Sequence, residues 1–353
     1  MRISLASVDL TKQARDNLSV AIKEGRIGQG RFIKEFEEKF AQWLGTKYAV
    51  FVSNGTVADT LALWAIKDGR NEVITPALTF VAQPNSVIHA GLKPVFVDVD
   101  NRAQISPALI EKAITSNTLA IFPAHLLGRV ADMDAIQEIA KKHNLFVIED
   151  CCEALGAKWG DKKVGSIGDI GTFSFYASHH ITTGEGGMLT TNDRLTYEKF
   201  VSLRNHGRKS DSILDVFHFE SVGFNAKGTN LQAAIGAGLV QSIDSIVEQR
   251  KRNLEKLGGW WTEELEKEYS SPHCYPAFET SPINRDLKLL ELEDKEIEAR
   301  KLMACIPNKE QCPAYGEYEG DFPNAERFGS TGYYVPIHHL LTNEQLKYLH
   351  AAT

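Results

Sequence analysis

A parallel α/β fold is what this chain of 353 residues predicts. Three observations carry the prediction. Short apolar runs alternate with amphipathic helical patterns through the first two-thirds of the chain. Glycines and polar residues suited to a site fall just past the ends of those runs, where such sheets bind ligands. A long helical stretch then leads into a remainder richer in charge and turns. The expected architecture is a mostly parallel seven-stranded sheet flanked by helices. It occupies a large α/β domain, residues 1–245, and is followed by a smaller C-terminal α+β domain, residues 246–353.

The candidate strands are Tyr48–Val52, Glu72–Thr75, Pro94–Val97, Leu119–Pro123, Leu145–Glu149, Gly171–Phe175 and Gly187–Thr190. Helical patterns lie between them, at Val57–Ile66, Asp132–His143 and Leu195–Arg204. Apolar strands separated by helices of this length imply a sheet covered on both faces. Asn230–Leu257 reads as one long connecting helix, Asp286–Arg300 as an exposed charged helix and Thr342–Ala351 as a short terminal helix. Pro307–Gly329, with its Pro, Gly, Asn and aromatic residues, reads as loop. No internal repeat or low-complexity tract interrupts this order.

Composition narrows the function classes. A net charge of -7 argues against general affinity for nucleic acid. No apolar run approaches the roughly 18 residues of a membrane span. Met1-Arg2-Ile3-Ser4-Leu5 lacks the apolar stretch of a signal peptide, so a cytoplasmic location is expected. Cys151, Cys152, Cys274, Cys305 and Cys312 are an odd number, which points to reduced thiols. Cys151 and Cys152 follow an apolar strand and are expected to be small buried residues.

Single motifs are ambiguous. Ser53-Asn54-Gly55-Thr56 lies between a strand and a helix, where free N–H groups and the helix dipole suit a phosphate; an ordinary N-cap has the same pattern. Asp150 ends the strand Ile148-Glu149-Asp150 and can pair with a pyridinium nitrogen or cap the next helix. Glu153 fits a capping box or a ring contact. Ser174 can donate to a phosphate or be an ordinary strand serine. Phe80 can stack on a flat ring or pack in the core. Gly184-Glu185-Gly186-Gly187 makes a flexible turn into a strand. Arg204, His206, Arg208 and Lys209 form a small basic cluster that serves either an anionic ligand or a solvated helix end.

Their order along the chain resembles the DegT/DnrJ-type sugar aminotransferase family. The resemblance runs from Gly28-Gln29-Gly30 and Phe36-Glu37-Glu38-Lys39-Phe40 through Glu72-Val73-Ile74-Thr75-Pro76, Pro94-Val95-Phe96-Val97-Asp98-Val99-Asp100 and Ala131-Asp132-Met133-Asp134-Ala135-Ile136. It ends with Thr182-Thr183-Gly184-Glu185-Gly186-Gly187, Arg204-Asn205-His206-Gly207 and Gly223-Phe224-Asn225. The resemblance implies the PLP-dependent transferase fold type I. It also implies pyridoxal 5'-phosphate (PLP) or its amine form, pyridoxamine 5'-phosphate (PMP), as cofactor, and a homodimer with a shared active site. It assigns Gly55, Thr56 and Ser174 to the phosphate, Phe80 to the ring face and Asp150 to the ring nitrogen. Asn225 would reach the neighbouring subunit's phosphate. Lys227, where the family often has Arg, would meet the sugar nucleotide.

Two positions depart from the family. His179 stands where the family has the lysine that binds PLP covalently, and Glu153 stands where Gln or His is usual. Both resemble the branch of sugar-nucleotide 3-dehydratases, as does Gly332-Tyr333-Tyr334-Val335-Pro336-Ile337-His338-His339. Imidazole cannot make the covalent link but can carry a proton. The branch implies loss of the C3 hydroxyl from a nucleotide-linked 4-keto-6-deoxyhexose, with GDP-4-keto-6-deoxymannose the expected substrate. His179 would be the base and L-glutamate the amino donor; His206 or Arg208 would meet the glutamate carboxylate. The product would feed a surface-polysaccharide deoxysugar. Some relatives carry an iron–sulfur cluster on a Cys-x-Cys pair that this chain lacks, so no metal is expected. The competing readings are a catalytically silent sugar-nucleotide-binding protein and a cluster-dependent dehydratase.

Overall fold

The computed structural model describes residues 1–6, 8–209, 217–315, 318 and 320–353. Seven strands form the central sheet: β1 (Tyr48–Val52), β2 (Glu72–Pro76), β3 (Lys93–Val97), β4 (Thr118–Ile121), β5 (Phe146–Asp150), β6 (Ile170–Ser174) and β7 (Gly187–Thr191). Each overlaps a strand expected from the sequence, with ends shifted by a residue or two. The spatial order is β1-β7-β6-β5-β4-β2-β3. β7 runs antiparallel to both its neighbours, and the other adjacent pairs are parallel.

Alternation across the pleat gives the sheet two apolar faces. In β1, Ala49 and Phe51 join one core cluster while Val50 and Val52 join the other; in β5, Val147 and Ile148 divide the same way. The first face is closed by the helix Arg31–Leu44, whose Phe32, Ile33, Phe36 and Phe40 recur at helical spacing and are buried. Phe36, Phe40, Phe51, Phe173 and Phe175 pack with ring centroids 5.0 to 6.3 Å apart. Each such ring contributes about 1.5–3 kcal/mol by burial. The helix Gly55–Ile66 covers the second face, capped by Asn54 Oδ1 accepting from the Val57 N–H at 2.9 Å.

Later elements depart from the sequence reading. The stretch expected as one helix, Asn230–Leu257, is two: Asn230–Leu239 and Ile243–Lys256, separated by a 3-10 turn at Val240–Ser242. The second helix straddles the expected domain boundary at residue 245. The charged helix starts earlier and ends earlier than expected, at Pro282–Asp294, and buries Arg285 and Leu292. Ser281 caps it, and Arg300–Lys301 is a short strand beside Gly332–Val335. The region expected as loop contains the helix Pro323–Thr331. Its cap comes from Asp98, whose carboxylate accepts from the N–H groups of Asn324 and Ala325 at 3.0 and 2.9 Å. A cap supplied from 226 residues away leaves no local signature.

The C-terminal part builds a sheet of its own and joins the seven-stranded sheet's side of the molecule at one pairing. Tyr275–Phe278, Gly332–Val335 and Arg300–Lys301 form a small antiparallel sheet. Ala304–Cys305 pairs with Leu78–Thr79, just after β2, and Ile3 bridges to Ile297.

Candidate active site

The carboxyl ends of β1, β2, β4, β5 and β6 open into one cavity of about 470 Å³. Gly55, Thr56, Phe80, Asp150, Glu153, Ser174 and His179, all singled out in the sequence, line it. Asp59, Cys152, His125, Tyr176, His273, Arg300, Lys301 and Tyr334 line it as well.

One wall is a cradle for an anion. The N–H groups of Gly55 and Thr56 head the helix and have no carbonyl one turn back to pair with. A Cβ on Gly55 would lie 2.8 Å from Ser174 Cβ and 3.2 Å from Cys152 Sγ, so the bare backbone is what lets the helix end approach Ser174. Gly187 serves the same purpose from β7: a Cβ there would meet Asn54 O at 2.3 Å. The turn read as merely flexible is thus a place of close backbone approach.

The floor carries acids. Asp150 Oδ1 accepts from the Cys152 N–H at 3.1 Å, and burial raises its carboxyl above the ordinary range, with the hydrogen bonds from Cys152 opposing. Behind it Glu149 Oε1 accepts from the N–H groups of Ile167 and Gly168 at 2.8 and 2.7 Å, and Glu149 Oε2 meets His125 Nε2 at 3.1 Å. His125 Nδ1 accepts from the Ala131 N–H, so Nε2 is the protonated nitrogen. Cys152 is half-buried in the cavity wall rather than enclosed like Cys151.

Glu153 reaches across to the loop after β4. Its Oε2 accepts from the Leu127 N–H at 2.7 Å, and burial pushes its carboxyl up to about 7. Leu127 has a left-handed backbone (φ 63°) and is followed by Gly128 at φ 92°. That turn brings Leu127 O to the His273 N–H at 3.0 Å and Gly128 O to the Ser271 N–H at 2.8 Å. A Cβ on Gly128 would sit 1.9 Å from Ser271 O.

His179 lies in the turn after β6. Its Nδ1 is 3.2 Å from Ser174 O, which only accepts, so Nδ1 carries the hydrogen and Nε2 is left with a lone pair. Burial is the main reason that its imidazole is pushed down to about 4, with the Arg250 charge adding to it. The ring stands perpendicular to that of His273, centroids 5.1 Å apart. The buried guanidinium of Arg250 donates to His273 O at 2.8 Å, to His179 O at 3.3 Å and to Pro272 O at 3.4 Å. Sequence reading missed His273, Arg250 and Asp59. The first two come from a distant segment, and Asp59 sits inside a helix with no motif of its own.

The remaining expected site residues, Asn225, Lys227, His206 and Arg208, do not line this cavity. The segment 225–227 runs beside the end of β1, with Lys227 bridged to Val52 and its Nζ donating to Asn205 Oδ1 at 2.9 Å. His206 is exposed at φ 65° in the turn before Gly207. Arg208 bridges to Phe219.

A model of the DegT/DnrJ/EryC1/StrS aminotransferase family matches residues 8–353. GDP-perosamine synthase of Escherichia coli O157:H7 is 38% identical over 337 residues, 91% of this chain and 89% of the relative. The solved E. coli GDP-4-keto-6-deoxy-D-mannose-3-dehydratase with bound hydrated PLP superposes with a TM-score of 0.90 at 26% identity, covering all of both chains. A GDP-4-keto-6-deoxymannose-3-dehydratase with a trapped PLP-glutamate geminal diamine superposes at 0.88 and 26% identity, covering 99% of this chain and 100% of that one.

Proposed function

Because the chain belongs to the DegT/DnrJ/EryC1/StrS aminotransferase family, we propose that it is a PLP/PMP-dependent sugar-nucleotide 3-dehydratase. It removes the C3 hydroxyl of a nucleotide-linked 4-keto-6-deoxyhexose, with GDP-4-keto-6-deoxymannose the favoured substrate and L-glutamate the amino donor. The observation that carries this reading is His179 in the turn after β6, facing the acids and the anion cradle. The lining includes one lysine, Lys301, which is exposed on the rim and paired with Asp286 at 3.0 Å. An aminotransferase reading is favoured by the identity to GDP-perosamine synthase. It asks for a lysine at the place that His179 occupies.

The residues fit the cofactor. Gly55, Thr56 and Ser174 would hold its phosphate, Phe80 would cover its ring, and Asp150 would meet its ring nitrogen, with Glu153 beside it. When bound, the cofactor supplies an amine for the sugar's carbonyl and an electron sink. His179 stays neutral at physiological pH because burial disfavours its charge, so Nε2 takes a proton. The resulting imidazolium, held through Nδ1 by Ser174 O, returns it to the departing hydroxyl, which leaves as water. Glu153 holds the Leu127 turn and with it the backbone of His273, which packs against the His179 ring. Asn225 is assigned to the neighbouring subunit's phosphate in a homodimer, and Lys227, His206 and Arg208 to anionic groups of the substrates.

Incubation with glutamate and GDP-4-keto-6-deoxymannose tests the reading. Stoichiometric ammonia and a 3-deoxy-4-keto sugar are expected. An amino sugar formed without ammonia would establish transamination instead, and neither product would favour a silent binding protein.

A further inference from the structure

Asp59 is not used by the chemistry described so far. It projects from the first turns of the helix Gly55–Ile66 into the same cavity as Asp150 and is 1% exposed. Among the described residues its Oδ1 has no hydrogen-bond partner. One oxygen of Asp59, one of Asp150 and Cys152 Sγ all lie within 4.8 Å of one another.

We propose that Asp59 and Asp150 hold one proton between them, Asp59 as the acid and Asp150 as the carboxylate it hydrogen-bonds. Asp59 is then a positioning residue: it fixes the orientation of Asp150 and limits the pair to a single charge facing the ring nitrogen. The proposal rests on the cofactor reading of the cavity and is independent of whether the reaction is dehydration or transfer.

Two carboxylates within 4.8 Å of each other, one of them 1% exposed, favour holding one proton over carrying two charges. Asp59 is pushed well above the ordinary range, by burial first and by Asp150 second, with a hydrogen bond from Thr172 opposing. The assignment of the proton follows from the partners. Asp150 accepts from the Cys152 N–H, which favours its charge, whereas Asp59 Oδ1 has no donor among the described residues. The other titratable groups around the pair have partners or surroundings of their own. Burial keeps Cys151 and Cys152 as thiols, Glu149 is engaged by two N–H groups and His125, and Glu153 turns to Leu127.

Carbon-13 NMR of the cofactor-free protein, labelled at the aspartate carboxyls, tests the claim without the reaction. One aspartate carboxyl is expected to keep the shift of a protonated acid through neutral pH, and the signal is lost in Asp59→Asn. If every aspartate titrates in the ordinary carboxylate range, or if the signal survives Asp59→Asn, the proposal is overturned. PLP binding by variants whose circular dichroism matches the wild type gives a second reading. Asp59→Asn, neutral like the acid, should hold the PLP Kd within about threefold, while Asp59→Leu, which leaves Asp150 unsupported, should weaken it about tenfold. Equal weakening by both would show that Asp59 acts as an anion and would overturn the shared proton. Absence of dehydration with these results intact would count against the proposed reaction alone.

Discussion

One nitrogen of His179 is committed to a main-chain carbonyl, which leaves the other as a base of fixed tautomer. His179→Asn should lower the dehydration rate by about 10²–10⁴, measured by product formation under saturating glutamate. His179→Lys should give a cofactor link that borohydride traps and should abolish dehydration; an unchanged dehydration rate would remove His179 from the role of base. The pH behaviour separates the two central groups. Glu153 is raised from 4.5 to about 7, so the fold favours its neutral form. Its contribution to stability is full below about 4.5 and is lost as the pH rises through about 7. His179 is lowered from 6.5 to about 4, so its contribution is full above 6.5 and is lost as the pH falls through about 4. In denaturation curves of the cofactor-free protein, Glu153→Gln should flatten the decline between about pH 4.5 and pH 7. At this scale the sequence was legible where a residue stands at or just past a strand end: Gly55, Thr56, Phe80, Asp150 and His179 were singled out there and line the cavity, while their roles came from the family resemblance. Asp59 and His273 were not singled out, because a carboxyl inside a helix and a histidine in a strandless approach carry no positional signal.

Among the elements, the turn Leu126–Gly128 does the most positioning. It holds a left-handed leucine, accepts Glu153 at its N–H, and presents two carbonyls to the segment 271–273. Gly128→Ala would force a Cβ to within 1.9 Å of Ser271 O and also strain φ 92°. A loss of about 1–3 kcal/mol is expected in urea denaturation, with the site weakened alongside it. The seven strands were readable because β-branched and aromatic runs bounded by turn residues leave little choice of element. Local signals failed for Pro323–Thr331, which depends on a cap from Asp98, and for the break at Val240–Ser242, where Gly238 stands just before the change but no proline marks it.

For the molecule as a whole, the segment 262–268 is tied to the sheet domain by charge. Glu268 meets Arg129 at 2.7 and 3.0 Å and Arg102 at 3.2 Å, with Arg129 fully buried. Glu268→Ala would leave Arg129 buried without its anion and should cost about 3–5 kcal/mol, read from chemical denaturation. The proposed homodimer with shared sites makes a sharper prediction. Two inactive variants, His179→Asn and Asn225→Ala, should recover roughly a quarter of the wild-type activity when refolded together in equal amounts. No recovery would place Asn225 in its own subunit's site or outside the site altogether. The sequence conveyed the sheet and its ligand edge, but which segments of the C-terminal part close the cavity is a matter of tertiary pairing: Ala304–Cys305 against Leu78–Thr79, and the 271–273 segment against Gly128.

Arg250 grips the turn that carries His179 and the strand approach that carries His273, and it does so entirely through main-chain oxygens. The guanidinium is therefore indifferent to what side chain stands at either position. An ancestor could exchange lysine for histidine at 179 without disturbing the address at which the group is delivered. The place of position 179 is thus set by the backbone, apart from the chemistry of whatever side chain is delivered there.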